Sequence, residues 1–290
     1  MNPHRRFLPY AALATGVLAL SFSAMFVRWA QAPGPVTGFY RIFFSTLLLG
    51  GIFAVQKKLR PLNGRGWFYP LLGGLFTACD FALWNTSVQY TTAANATLLG
   101  NTAPLWVALG AWLIFHERLT SRFWSGLSLA LAGAILLIGS DFLRHPLPGL
   151  GDLLAVGAGI FYAAYLLITQ RGREHFNPPE YIFWVGVAAS LGLGIINRAL
   201  GYSLTGYPLQ SWLVFLGTAI VSQLIGYLSI SYALGHLPAR IVSPTLIAQP
   251  ILTTFLAIPI LGEIPLPVQW LGSALALIGI YLVHRSHQQA

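Results

Sequence analysis

The chain has 290 residues, of which 56% are hydrophobic and 8% charged, and its formal net charge is +9. Soluble domains carry about 25% charged residues, and a soluble fold of this length must cover a wide surface with polar groups that this chain lacks. The composition excludes an ordinary soluble enzyme, a disordered chain and a disulfide scaffold, and it fits an integral membrane protein.

Long stretches carry no Asp, Glu, Lys or Arg: 7–27, 81–116, 199–239, 241–262 and 264–284. A membrane-spanning helix needs about 20 mostly apolar residues. Alternating segments of about 10 residues, the mark of a transmembrane β-barrel, are missing. Unpaired backbone groups are not tolerated in lipid, so the spans are expected to be helices. Ten are predicted in chain order, over 7–28, 35–56, 66–89, 93–115, 122–140, 151–170, 180–198, 211–234, 239–261 and 267–284. Pro33-Gly34-Pro35, Pro146 with Pro148, and Pro178-Pro179 separate neighbouring spans. The apolar start lacks a small-residue cleavage site and further spans follow at once, so it reads as a span and not as a signal peptide. The single cysteine, Cys79, excludes an internal disulfide and reads as a packed thiol.

The basic residues fall in short loops, so the positive charge is an orientation signal and not a nucleic-acid signal. With both termini inside, 12 Lys and Arg lie on the cytoplasmic side, three (Arg28, Arg144 and Arg198) lie outside, and Arg41 falls within a span. That bias predicts a multi-pass protein of the plasma membrane, the inner membrane of a bacterium, with both termini cytoplasmic.

Displacing the chain against itself by 146 residues reveals a repeat. Ala93 falls on Ala239, Pro104 on Pro250, Glu117 on Glu263, Trp124 on Trp270, Gly126 on Gly272 and Gly133 on Gly279. Over 93–136 there are 12 identities in 44 ungapped positions, where chance in so biased a composition gives roughly a tenth. The expected fold is therefore all-α, with ten transmembrane helices in two five-helix repeats, 1–145 and 146–290. Five is odd, so the second repeat enters the membrane from the opposite side. Inverted repeats of this kind are the mark of alternating-access carriers, with the substrate held between the repeats near the midplane.

The chain resembles the EamA-type members of the drug/metabolite transporter superfamily. The resemblance rests on Ala93-Ala94-Asn95-Ala96 followed by Pro104 and Glu117, on Ala239 through Pro250 to Leu261-Gly262-Glu263, on the paired Trp124-x-Gly126 and Trp270-x-Gly272, and on Gly151-Asp152-Leu153-Leu154. It implies a ten-helix carrier with cytoplasmic termini that exports amino acids, drugs or other small metabolites.

Asp80 sits about 15 Å from either end of its predicted helix at 1.5 Å per residue. A carboxylate at that depth is a functional hypothesis by default. It is suited to bind a substrate ammonium, to carry a coupling proton, or to pair with Arg41. Thr77, Asp80, Trp84 and Ser87 share one helical face by their spacing. Unshared polar positions between the repeats are where a substrate can be read, and they include Trp84, Asn101, Tyr162, Tyr165, Gln223, Tyr227 and Gln249. Together with Asp80 these form the expected substrate-binding set, on spans 3, 4, 6, 8 and 9. Each amide can instead simply join helices, and each aromatic can serve an interfacial belt. Arg41 is close enough to the outer end of its helix to snorkel or pair, or else to hold a substrate carboxylate. Glu117 and Glu263 fall on opposite faces of the membrane and read as architectural. Pro104 and Pro250 are expected to kink their helices. The small residues of the fifth and tenth spans suggest close helix contacts, which leaves a homodimer open beside a monomer.

Other classes fare less well. Gly149-Leu150-Gly151-Asp152 resembles an intramembrane aspartyl-protease signature, but that chemistry needs a second close aspartate, and Asp152 reads more simply as a helix N-terminal acid. No phosphate loop and no metal-ligand spacing is present, so neither ATP, a metal nor another cofactor is expected. A channel would need a charged ring or a carbonyl filter. The reading is a secondary transporter of small metabolites, amino acids or similar amphiphiles, across the plasma membrane, with the outward direction implied by the resemblance alone. A nucleotide-sugar or sugar-phosphate carrier is the alternative, but phosphates call for more cations than Arg41.

Overall fold

Proline and glycine set most of the helix boundaries. The computed structural model describes residues 3–56, 66–90, 99–100, 102–114, 116, 119–138, 149–261 and 267–287, and every regular element among them is helical. In chain order these are α1 (Pro3–Ser21), α2 (Ser23–Trp29), α3 (Gly34–Gln56), α4 (Phe68–Tyr90), α5 (Ala103–Leu113), α6 (Ser121–Ile138), α7 (Leu150–Gly172) and α8 (Pro178–Ala199). Next come α9 (Leu209–Thr218), a π-helical segment (Ala219–Tyr227) and α10 (Leu228–Leu234), which follow one another without a break. The chain continues through α11 (Ala239–Thr245), α12 (Ala248–Leu261) and α13 (Pro267–His287).

Among the described residues, five stretches are long and apolar enough to cross a membrane: Phe7–Val27, Gly34–Gln56, Leu150–Gly172, Pro178–Ala199 and Leu209–Leu234. The outer surface agrees with a lipid setting. Leu47, Leu48, Ile52, Val55, Leu191, Ile195, Leu213 and Ile278 are all exposed. Thr77, Ser87, Asn197, Ser222 and Gln223 are buried instead. A water-soluble protein of this size does not leave so continuous an apolar exterior.

Among the described residues, several predicted spans are interrupted. The first bends at Phe22, between α1 and α2. The eighth runs through the π segment, where one extra residue per turn loosens the backbone ladder. The ninth stops at Thr245 and restarts at Ala248. Pro250 explains this last break: in an unbroken helix its ring would meet the carbonyl of Leu246, and it has no N–H to donate. Pro104 likewise lies in the first turn of α5, just after the Thr102 turn. The two prolines thus sit where helices begin, not in the middle of kinked ones.

The helices α6 and α13 run against each other at backbone contact. A Cβ on Gly126 would lie 2.8 Å from Val283 N and 2.9 Å from Gly279 O. A Cβ on Gly133 would strike Ala276 N, and one on Gly279 would strike Ala130 N. The small-residue faces that left a homodimer open are therefore spent on one another inside a single chain. The contact pairs also exchange under the 146-residue offset: Gly133 with Ala276 becomes Gly279 with Ala130.

At its start, α7 is closed by Asp152, whose carboxylate accepts from Gly149 N at 2.8 Å. This is the capping role of a helix N-terminal acid. Asn177 caps α8 by accepting from Glu180 N at 3.0 Å. At the other end of α7, Gln170 accepts from Ala239 N at 2.5 Å and Arg173 Nε donates to Ser231 O at 2.9 Å. These two bonds tie the end of α7 to α10 and the start of α11.

Candidate functional site

The middle of the bundle is polar and aromatic. Its organiser is Arg41, on the eighth residue of α3. The Arg41 guanidinium donates from Nε to Gln223 Oε1 at 3.0 Å and from a terminal nitrogen to Ser23 Oγ at 3.4 Å. Ser23 in turn donates to Ser222 Oγ at 3.0 Å. The guanidinium carbon lies 5.0 Å from the Phe81 ring centre and 5.4 Å from that of Tyr227. Both distances are within the cation–π range, where a desolvated contact is worth about 2 kcal/mol or more. Arg41 therefore does not snorkel: hydrogen bonds and two rings hold it toward the interior.

Gln223 and Tyr227 both lie in the π segment and are 2% and 5% exposed. Their four-residue separation brings both side chains to Arg41. A π segment is rare and is found disproportionately at functional sites. Nothing in the residues from Leu209 to Leu234 announces it, because the apolar pattern is the same for either helix type.

On α7, the rings of Tyr162 and Tyr165 stack 6.2 Å apart and nearly parallel. Tyr165 reaches Tyr227 at 5.7 Å, and Tyr227 reaches Phe81 at 6.5 Å. The result is an aromatic chain running from α7 through the π segment to α4. Among the described residues the Tyr165 hydroxyl is buried without a hydrogen-bond partner.

Asp80 adjoins Phe81 on α4, and its carboxylate is close enough to interact with Arg41, Tyr162 and Tyr227. It does not form a direct ion pair with Arg41, whose hydrogen bonds go to Gln223 and Ser23. Direct pairing of the two charges, one of the three roles open to Asp80, is thus not made. An intramembrane acid and base lie near each other, and neither neutralises the other by contact.

Five of the eight residues singled out from sequence meet here: Asp80, Tyr162, Tyr165, Gln223 and Tyr227. Trp84 is half-buried with its indole against Gly100. Gln249 is tied through its backbone, its carbonyl accepting from Ser21 Oγ at 3.3 Å. Asn101 lies outside the described residues, as do Glu117 and Glu263. Thr77 and Ser87 do not extend a polar face into the site. Their hydroxyls bond back to Gly73 O and Trp84 O on their own helix, as hydroxyls within helices commonly do. The cluster is drawn from α2, α3, α4, α7 and the π segment, so the second span contributes where the sequence pointed to the fourth and ninth. Arg41, Phe81 and Ser23 were missing from the sequence set. The signal for Arg41 was present, since a cation within a span is functional by default. Phe81 and Ser23 carry no such mark.

No group of three or more His, Cys, Asp or Glu residues is arranged to hold a metal ion among the described residues. Asp152 caps α7 through Gly149 N, the role of a helix N-terminal acid.

The model of the EamA-like transporter family matches residues 8–139 and again 149–285. The chain belongs to this family. An uncharacterized transporter of Bacillus subtilis, YwfM, is 30% identical over 250 residues, covering 82% of this chain and 81% of that protein. An uncharacterized transporter of Archaeoglobus fulgidus is 24% identical and covers 87% of this chain and 88% of its own length. The uncharacterized inner membrane transporter YhbE of Escherichia coli K12 is 23% identical over 231 residues, with 76% and 70% covered. A solved protein crystal structure superposes with a TM-score of 0.80 over 95% of this chain and 96% of that one, at 16% identity. That likeness concerns the fold. The EamA-like chain is thus a multi-pass membrane protein and a transporter.

Proposed function

We propose that this EamA-like protein is a secondary transporter that exports amino acids or similar small amphiphiles by alternating access. The observation that carries the reading is the Arg41–Asp80–Gln223–tyrosine cluster at mid-depth of the helical bundle. An intramembrane charge is costly and marks a substrate or ion path. Here the charges sit among aromatic rings, which offer apolar surface and polar tips to an amphiphilic molecule.

The mechanism follows from the repeat. Ten spans in two inverted five-helix units, 1–145 and 146–290, would rock about a site at their junction. The exchange of Gly133–Ala276 with Gly279–Ala130 supports that symmetry. The Arg41–Gln223 bond supports a site shared between the units, because it joins one residue from each. The broken helix at Thr245–Ala248 supports a moving element near the midplane, as interrupted helices do in carriers. The charge bias of the loops supports cytoplasmic termini, and the name of the Escherichia coli relative supports an inner-membrane location. A sugar-phosphate substrate is disfavoured, since Arg41 is accompanied by a carboxylate and not by further cations.

Proteoliposomes containing the purified chain, assayed for uptake and efflux over a metabolite panel, test the reading. Movement of amino acids above protein-free vesicles supports it. Movement of phosphorylated sugars in their place overturns the substrate class.

A further inference from the structure

We infer that Arg41 and Asp80 form the two halves of a zwitterion cradle, with Arg41 taking a substrate carboxylate and Asp80 the ammonium. This rests on the transporter reading above and assigns the head-group chemistry of that same site.

The argument begins with the donors of Arg41. A guanidinium has five N–H groups in a rigid fork. Among the described residues, Nε–H is taken by Gln223, and a terminal nitrogen makes a long contact with Ser23. Most of the terminal N–H groups are left without described protein acceptors. The two bonds that are made, and the rings of Phe81 and Tyr227, fix where the fork points. A fork held by Nε, with terminal N–H groups still to be satisfied, is suited to a carboxylate, which accepts two parallel N–H bonds.

Asp80 supplies the opposite charge. It lies within electrostatic range of Arg41 yet makes no ion pair with it. No hydrogen bond to its carboxylate links it to another described residue. A merely structural pair in so apolar a setting would be expected to close, because charge attraction strengthens as the surroundings become less polar. Without direct contact between them, the two groups bring a cation and an acid to one polar cluster. An α-amino acid head group carries the complementary charges in the complementary order. Tyr227, with its ring against Arg41 and in electrostatic range of Asp80, lies beside both.

The test separates head-group recognition from transport itself. Full-length protein in proteoliposomes is given a mixture of the neutral L-amino acids, the same set as carboxamides, and the same set as N-acetyl derivatives, with mass-spectrometric readout. Loss of a charge-assisted hydrogen bond predicts that removing either charge slows transport about tenfold or more. Arg41→Gln should erase the preference for acids over carboxamides, and Asp80→Asn should erase the preference for acids over N-acetyl derivatives. Arg41→Lys, which keeps the charge but loses the fork, should retain part of the preference. Thermal unfolding in detergent shows whether each variant is folded, and the acid-to-amide ratio of the unaltered protein is informative without any variant.

Carboxamides carried as fast as acids would overturn the cradle and leave the transporter reading intact. If none of the three sets is carried, the cradle and the amino-acid substrate class fall together. Were Asp80→Asn to abolish only transport driven by a pH gradient, while exchange at equal pH survived, Asp80 would be a proton carrier, and its assignment to the ammonium would be wrong.

Discussion

Arg41 and Gln223 stand 182 positions apart in sequence and meet at 3.0 Å in the middle of the bundle. The bond joins α3 to the π segment and fixes the cation on which the polar cluster is built. Its loss has a calculable consequence. Gln223→Leu would leave Nε–H of Arg41 in an apolar interior without its acceptor, at a cost of about 1–3 kcal/mol. We expect a lower unfolding temperature in detergent and weakened substrate affinity. Gln223→Glu should behave differently, because a carboxylate would pair with Arg41 and compete with the substrate. Stability should then be kept while transport falls, and a Gln223→Glu variant with normal transport would contradict the role given to Arg41.

The architecture was more legible in the sequence than the site. Hydropathy and the prolines located α3, α4, α7 and α8 to within about two residues, because a lipid-facing helix has to be apolar along its length. The π segment was invisible, since Ala219–Tyr227 has the same apolar character in either helical form. Five of eight site residues came together because unshared polar positions on inward faces have few other uses. The indole of Trp84 meets Gly100 and the backbone of Gln249 bonds to Ser21, partners that ring size and depth alone do not specify. Arg41 was undervalued because its distance from the helix end permits snorkelling. The bonds to Gln223 and Ser23 and the Phe81 and Tyr227 rings, all on other helices, decide against it.

The contact between α6 and α13 should tolerate no added side chain. Gly133→Leu and Gly279→Leu place atoms where backbone already lies. Overpacking of this kind costs about 1–3 kcal/mol and often more. Yields of monodisperse protein should fall for both. Gly51→Ala is the control, with nothing within 4 Å of the new Cβ, and its yield should be unchanged.

Asp152 provides a test of cap against chemistry. Asp152→Ala removes the carboxylate that accepts from Gly149 N. A lost cap costs about 0.5–2 kcal/mol. Thermal stability should drop by that order while transport per folded molecule is unaffected. Abolished transport in a folded Asp152→Ala protein would show that the residue has a second task.

Orientation can be read by labelling. In a Cys79→Ala background, cysteines at Asn63 and Ser121 should react with an impermeant reagent only from the cytoplasm, and one at Thr91 only from outside. Reaction at Asn63 from outside would invert the assignment of the termini.

Counterflow addresses the central claim, that one site is exposed alternately to the two sides. Proteoliposomes loaded with an unlabelled mixture of neutral L-amino acids are diluted into a trace of the labelled mixture. A carrier returns faster when loaded, so label should accumulate transiently above its equilibrium level in loaded vesicles and not in empty ones. Arg41→Gln should abolish the overshoot in protein that remains folded. Entry of label at the same rate into loaded and empty vesicles, with no overshoot, would contradict alternating access about the Arg41 cluster.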